Sequence, residues 1–217
     1  MKIHNFAEKP SLVSQYLAEM RDINIQADRL RFRRNLERLG EIFAYEISKD
    51  LSYKTERITT PLGVEASCDI LAEKVVLGTI FRAGVPFHQG FLRYLDNAEN
   101  AFVSAYRKYK EKENFDILIE YLASPRLDGK TLILCDPMLA TGASMELSYK
   151  ALLTKGTPAK VHLASVIASQ QAVDYLQSVM PAESELWVGV IDEKINAHSY
   201  IVPGLGDAGD LAYGTKE

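Results

Sequence analysis

One stretch constrains the fold more than any other: Thr131-Leu132-Ile133-Leu134-Cys135-Asp136-Pro137-Met138-Leu139-Ala140-Thr141-Gly142-Ala143-Ser144. The apolar run predicts a buried strand, and Asp136 marks its carboxyl end. A turn of small residues with two hydroxyls follows, where a helical pattern begins. Strand, acid, turn and helix in that order build an anion site. Backbone N–H groups from Ala140 to Ser144 converge there, and the helix dipole favours negative charge. Asp136 repels phosphate and suits a cation or sugar hydroxyls beside it, so a phosphorylated sugar fits the arrangement. The competing reading is an ordinary strand-to-helix connection using the same residues as turn formers and caps. The loop is not a Walker loop, since no Gly-Lys-Ser/Thr follows, nor is it Gly-x-Gly-x-x-Gly.

The same alternation runs along most of the chain. Residues 11–50 are helical in pattern, with Leu36, Leu39, Phe43 and Ile47 as one apolar stripe and Arg31, Arg34 and Arg38 on another face. Tyr53–Thr60 is a short strand ended by Pro61-Leu62-Gly63. Strands are expected at Lys74–Ile80, Ala101–Tyr106, Thr131–Cys135, Lys160–Ala168 and Leu186–Ile191. Helices are expected at Val85–Leu95, at Met145–Lys155 (closed by Gly156 in a left-handed cap) and at Gln170–Met180, stopped by Pro181. Phe115–Leu122 pairs with a neighbouring run across the charged turn Lys108–Asn114. The tail from Asn196 to Glu217 reads as irregular and glycine-rich. Strand–helix alternation predicts a parallel α/β sheet with ligands beyond the carboxyl ends of the strands, where Asp136 lies.

Three further pieces can meet at that edge. Arg82 in Phe81-Arg82-Ala83-Gly84 follows the Lys74–Ile80 strand and can present its guanidinium fork to a diphosphate; alone it reads as a solvated turn. Arg107 ends the next strand, another position that is usually just solvated. Tyr200-Ile201-Val202-Pro203-Gly204-Leu205-Gly206-Asp207-Ala208-Gly209-Asp210 interleaves glycines with large apolar residues, which a floppy terminus seldom does. Backbone bared by small residues can pair with the amide edge of a flat ring.

These residues resemble those of the uracil phosphoribosyltransferase family. Asp-Pro-Met-Leu-Ala-Thr-Gly is similar to its loop for phosphoribosyl diphosphate (PRPP), Arg-Ala-Gly to its PRPP-binding arginine turn, and the tail to its uracil-binding segment. The likeness spans most of the chain, including Ala44-Tyr45-Glu46 and Thr60-Pro61-Leu62. It implies one type I phosphoribosyltransferase domain over residues 1–217, with a mainly parallel sheet flanked by helices, a β-arm, N-terminal helices (1–50) and a base-binding tail (196–217). It also implies transfer of phosphoribose from PRPP to uracil. By resemblance Arg82, Arg107, Asp136 and Asp207 are catalytic. PRPP is held by Arg82, Arg107, Asp136, Pro137, Met138, Leu139, Ala140, Thr141, Gly142, Ala143, Ser144 and Asp207. Uracil is held by Ile201, Gly206, Asp207 and Ala208, with Tyr213 as a wall, and Mg²⁺ arrives mainly through PRPP. No residue is assigned as the base for the uracil N1 proton. Two departures stand out: Ala143 replaces the usual glycine, and Lys108-Tyr109-Lys110-Glu111-Lys112-Glu113-Asn114 replaces an acidic, threonine- and proline-containing arm after Arg107.

Composition bounds the partners. A chain of 217 residues buries roughly 70% of its unfolded surface, enough for one domain. The net charge of −4 argues against broad nucleic-acid binding, which needs a basic face. It does not oppose a polyanionic substrate. A charge ~20 Å away lies beyond two Debye lengths, whereas an arginine at ~4 Å contributes about 4 kcal/mol at an effective dielectric of 20. An RNA-binding regulator with the same fold is the alternative, but such proteins usually keep two adjacent acids where this chain has Asp136-Pro137. The N-terminus predicts neither a signal peptide nor a membrane span. Cys68 and Cys135 read as reduced core residues, as in the cytoplasm, and the four histidines show no metal-ligand spacing. The family resemblance further implies a homodimer or higher homo-oligomer. It also implies a GTP activator near the basic cluster Arg31, Arg33, Arg34 and Arg38, which otherwise reads as a solvated helix face.

Overall fold

The computed structural model describes residues 1–111 and 114–216, and all their side chains except those of residues 105–118. In chain order the elements are β1 (Lys2–Asn5), α1 (Leu12–Arg21), α2 (Arg29–Ser48), β2 (Tyr53–Thr59), β3 (Glu65–Leu71), β4 (Val75–Phe81), α3 (Gly84–Leu92), β5 (Glu99–Glu111) and β6 (Asn114–Ala123). They continue with β7 (Thr131–Cys135), β8 (Met138–Leu139), α4 (Ala143–Leu152), β9 (Lys160–Ser169), α5 (Gln170–Val179), β10 (Glu185–Asp192), β11 (Lys194–Ile195), β12 (Ile201–Val202) and α6 (Ala208–Tyr213). The main sheet runs β1-β10-β9-β7-β4-β5-β6, with β8 added beside β9. Its pairs are parallel except β5 with β6.

β7 sits at the centre because each of its five residues is buried, a pattern that only a strand covered on both faces can keep. Alternation then sorts its side chains. Ile133 and Cys135 join Leu36, Phe43, Phe87 and Phe91 under α2 and α3, while Leu132 and Leu134 join Met145, Leu152 and Leu176 under α4 and α5. The expected parallel α/β fold is therefore found, with β4, β7, β9 and β10 all ending at one edge.

Local signals explain most boundaries. Ser11 and Ser14 form a reciprocal cap that starts α1, and the Asp28 carboxylate accepts from the Leu30 and Arg31 amides to start α2. The expected pairing across the charged turn is found in the backbone, with Tyr106 opposite Leu118. Five features differ from expectation. The helical region of residues 11–50 is broken between α1 and α2, and residues 2–5 form the edge strand β1. The 65–71 run pairs with β2 as a separate two-stranded hairpin. At Gly156 φ is +121° but ψ is 178°, so the backbone leaves α4 extended and is not in a left-handed cap. The last turn there has already tightened into a 3-10 helix over Leu153–Lys155. Finally, the tail holds β12 and the short helix α6.

Candidate active site

The loop after β7 is tied down on the side facing β9. The Asp136 amide donates to the Ala164 carbonyl at 3.0 Å, and the Ile167 amide donates to the Pro137 carbonyl at 3.0 Å. Met138 and Leu139 then pair with Ile167 and Ala168, and the Ser169 hydroxyl donates to the Ala140 carbonyl at 2.6 Å. Gly142 turns the chain into α4 with φ +79°, and a Cβ there would lie 3.0 Å from the Tyr175 ring and 3.1 Å from Leu176. The positive φ favours glycine, and the close approach leaves little room for a Cβ. Asp136, Met138, Leu139, Ala140, Thr141, Gly142, Ser144 and Met145 line one pocket. Pro137 is buried behind it, and Ala143 is the first residue of α4. The first-turn amides of any helix lack intrahelical acceptors, which leaves those of α4 open to an anion; the Ala143 amide has the Thr141 hydroxyl at 3.5 Å.

Asp136 is only partly exposed, and burial pushes its pKa up to about 7. The Met138 amide, donating to Oδ1 at 3.4 Å, opposes that rise weakly. At neutral pH the group is poised between its acid and carboxylate forms, and hydrogen-bond donors or a cation brought alongside would favour the carboxylate.

Arg82 follows β4 in a turn pressed against the end of β7: a Cβ on Gly84 would lie 3.3 Å from the Cys135 carbonyl. Its guanidinium reaches the C-terminal segment directly. Nη2 donates to Asp210 Oδ1 at 2.7 Å, and Nη1 donates to the Gly214 carbonyl at 3.1 Å. Asp207 caps α6 by accepting from the Asp210 amide at 3.0 Å. Ile201, Leu205, Ala208 and Ala212 are buried in the same core as Cys135, with Ala83, Met138 and Ala140 packed against it. The tail is thus an ordered part of the strand-end edge: Asp207 Oδ1 and Arg82 Nη2 lie 3.2 and 3.4 Å from where a Cβ on Gly209 would sit, and Met138 and Ala140 of the 136–144 loop pack on the same core. Gly206 is exposed with φ +94° beside Asp207, and Tyr213 is exposed at the end of α6. Arg107 lies on β5 opposite Ile117 of β6; its side chain is outside the described residues.

Several contacting residues escape sequence reasoning. Arg21 and Asp192 form a two-point ion pair at 2.8 and 3.0 Å that holds Gly204, and Arg33 donates to the Ala212 carbonyl at 2.6 Å. Asp192 carried one usable signal, since, like Asp136, it sits at the carboxyl end of a sheet strand. Arg31, Arg33, Arg34 and Arg38 of α2 are engaged within the chain. Arg31 pairs with Glu19, Arg34 with Glu37, and Arg38 donates to Asn35. At the opposite end of the strands His4, Asp50 and Glu185 converge within 4.8 Å, a grouping that sequence spacing did not reveal. Lys2 Nζ, 3.7 Å from Glu185, already supplies positive charge there.

An acid and a helix N-terminus stand at the carboxyl edge of a mainly parallel sheet, the place where open α/β sheets bind their ligands, and the arginine after β4 ties the glycine-rich tail to the same edge. A purine phosphoribosyltransferase from Pyrococcus horikoshii has the same fold, with a TM-score of 0.50 at 14% identity over 74% of this chain and 84% of that one. The model of the family described as uracil phosphoribosyltransferase matches residues 7–215. A uracil phosphoribosyltransferase of Porphyromonas gingivalis is 62% identical over 216 residues, covering both chains in full. The solved structure of an Aquifex aeolicus protein superposes with a TM-score of 0.87 at 31% identity, covering 98% of each chain. The chain belongs to the uracil phosphoribosyltransferase family.

Proposed function

We propose that this pentosyltransferase carries out its family's reaction, uracil plus PRPP giving UMP and diphosphate, with the residues of the strand-end edge in the following roles. Residues 1–217 act as one catalytic unit. The amides of the 138–144 loop and the N-terminus of α4 hold the 5′-phosphate. Asp136 accepts from the ribose hydroxyls and stands near the positive charge that develops on the ring. N1 of uracil attacks C1′ as the diphosphate leaves. Arg82, with Arg107 from the neighbouring strand, stabilises the negative charge that gathers on the leaving group. Asp207 offers exposed carboxylate oxygen, the donor class that Mg²⁺ takes together with phosphate oxygens, so the residues present fit a metal delivered with PRPP. When bound, Mg²⁺ neutralises diphosphate charge. Uracil is read by the main chain at Ile201 and from Gly206 to Ala208. Holding base and sugar in line supplies much of the rate.

The observation that carries this reading is the pair of hydrogen bonds from Arg82 to Asp210 and Gly214, which joins the C-terminal segment to the edge where the 136–144 loop opens. Formation of UMP from radiolabelled uracil tests it, with cytosine, PRPP-free and Mg²⁺-free controls. Cytosine presents a reversed donor and acceptor at its amide edge, so its turnover should be far lower. Comparable turnover would refute readout by main-chain groups.

Three further properties belong to the same proposal. The β2–β3 hairpin exposes Tyr53, Ile58, Leu62, Val64 and Ile70, and an isolated two-stranded ribbon is marginal in water; both support a homodimer or larger homo-oligomer built on this arm. Both cysteines are free thiols, which supports the cytoplasm, and among the described residues no helix is long and apolar enough to cross a membrane. GTP activation rests on the resemblance alone and is tested by rate against GTP concentration. A nucleotide there would compete with the existing partners of the α2 arginines.

A further inference from the structure

Main-chain recognition of a flat base works only if the backbone already holds the required geometry, because every loosened dihedral weakens several hydrogen bonds at once. The turn that feeds residues 206–208 is held from two distant parts of the chain. Gly204 is buried, with φ +62°, and a Cβ there would lie 2.0 Å from the Ile201 carbonyl oxygen. Its amide donates to Asp192 Oδ2 at 2.9 Å, and its carbonyl accepts from Arg21 Nη1 at 3.2 Å. The same two side chains bind each other through both carboxylate oxygens, Nη2 to Oδ1 at 2.8 Å and Nη1 to Oδ2 at 3.0 Å. Asp192, at the end of β10, is only 6% exposed. Arg21 is the last residue of α1, and its own carbonyl accepts from the Gln26 side-chain amide at 3.2 Å. Gln26 Oε1 in turn lies 3.9 Å from where a Cβ on Gly206 would sit.

We infer that Arg21 and Asp192 are positioning residues for base recognition: their ion pair takes up both main-chain polar groups of Gly204 and so fixes the backbone that presents Gly206 to Ala208 to uracil. The inference rests on the reading of that segment as the uracil site. It ties the carboxyl end of α1, far from the reacting atoms in sequence, to substrate choice. A lysine cannot replace Arg21, because one ammonium lacks the planar fork that reaches both carboxylate oxygens and the Gly204 carbonyl together.

The test is steady-state kinetics of Arg21→Lys and Asp192→Asn beside Gly206→Ala, with folding checked by circular dichroism. For the first two the expected result is a KM for uracil raised about tenfold, the factor that loss of one charge-assisted hydrogen bond brings. KM for PRPP should stay within about twofold, and the preference for uracil over cytosine should shrink. Unchanged uracil kinetics in both variants, with Gly206→Ala impaired, would overturn the inference and leave the uracil site standing. Unchanged kinetics in all three would remove the site itself. Equal losses toward both substrates would reduce the pair to a structural role and likewise overturn it. If neither variant folds, hydrogen exchange of the wild-type Gly204 amide decides: slow exchange is expected, and exchange as fast as in the exposed 196–200 loop contradicts the clamp.

Discussion

Asp136 carries a charge that its surroundings disfavour until something binds beside it. Its carboxyl is raised to about 7 by burial, so in the free protein ionisation costs stability. The sign follows from linkage. A raised acid contributes stability that is complete below its unfolded pKa and lost as pH rises through about 7. Asp136→Asn removes that loss. Its melting temperature relative to wild type should therefore be higher at about pH 8 than at about pH 5, while UMP formation falls at both. A stability difference independent of pH would mean that the carboxyl is not held in this state. Arg82 makes the opposite case, a charge satisfied before substrate arrives, by Asp210 and the Gly214 carbonyl. Arg82→Ala should lower kcat by on the order of 10²-fold, the effect of removing one stabiliser of developing charge, with a much smaller change in uracil affinity. Equal loss of both, by rapid-quench kinetics and equilibrium binding, would take Arg82 out of the leaving-group role.

Among the elements, legibility followed burial. β4, β7 and β9 could be read from sequence because strands covered on both faces are predominantly apolar. β3 could not, since most of its residues face solvent and its partner is one exposed strand. β12 and α6 are too short to show a period, and their order comes from tertiary packing of Ile201, Leu205, Ala208 and Ala212. The boundary between α1 and α2 is set partly by a tether of the same non-local kind. Glu19 accepts from the Arg31 guanidinium at 2.9 and 3.0 Å and from the Asn35 amide at 2.8 Å. These bonds, that from Arg31 first, lower the Glu19 pKa to about 2. A depressed acid contributes stability above its unfolded pKa of 4.5 and loses it as pH falls through about 2. Glu19→Gln should destabilise the fold by about 1–2 kcal/mol near neutral pH, since Arg31 is half-exposed and solvent screens the pair. The deficit should vanish near pH ~2. Urea titrations at the two pH values check this, and a constant deficit would contradict the assignment.

Across the whole molecule, the site is assembled from parts that no window of sequence contains. Local pattern showed the strand, acid, turn and helix of residues 131–144, because they are contiguous, and so raised the anion-site reading. It also singled out Arg82 and the tail as candidates. It could not reveal that Arg82 grips Asp210, or that Arg21 and Asp192, 171 residues apart, share one glycine between them. Those contacts depend on the sheet bringing the end of β4 and the end of β10 to one edge. Under the proposed roles net charge has little force at this scale, since Arg82 and the amides of α4 would act at contact distance. The central claim is that the 138–144 loop and the 201–208 segment serve one ligand. Hydrogen exchange of the full chain with and without UMP measures this directly, because the product carries its phosphate and its base at opposite ends. Both segments should gain protection together, at the same UMP concentration. Protection of the loop with the tail unchanged, or of the tail alone, would contradict the account.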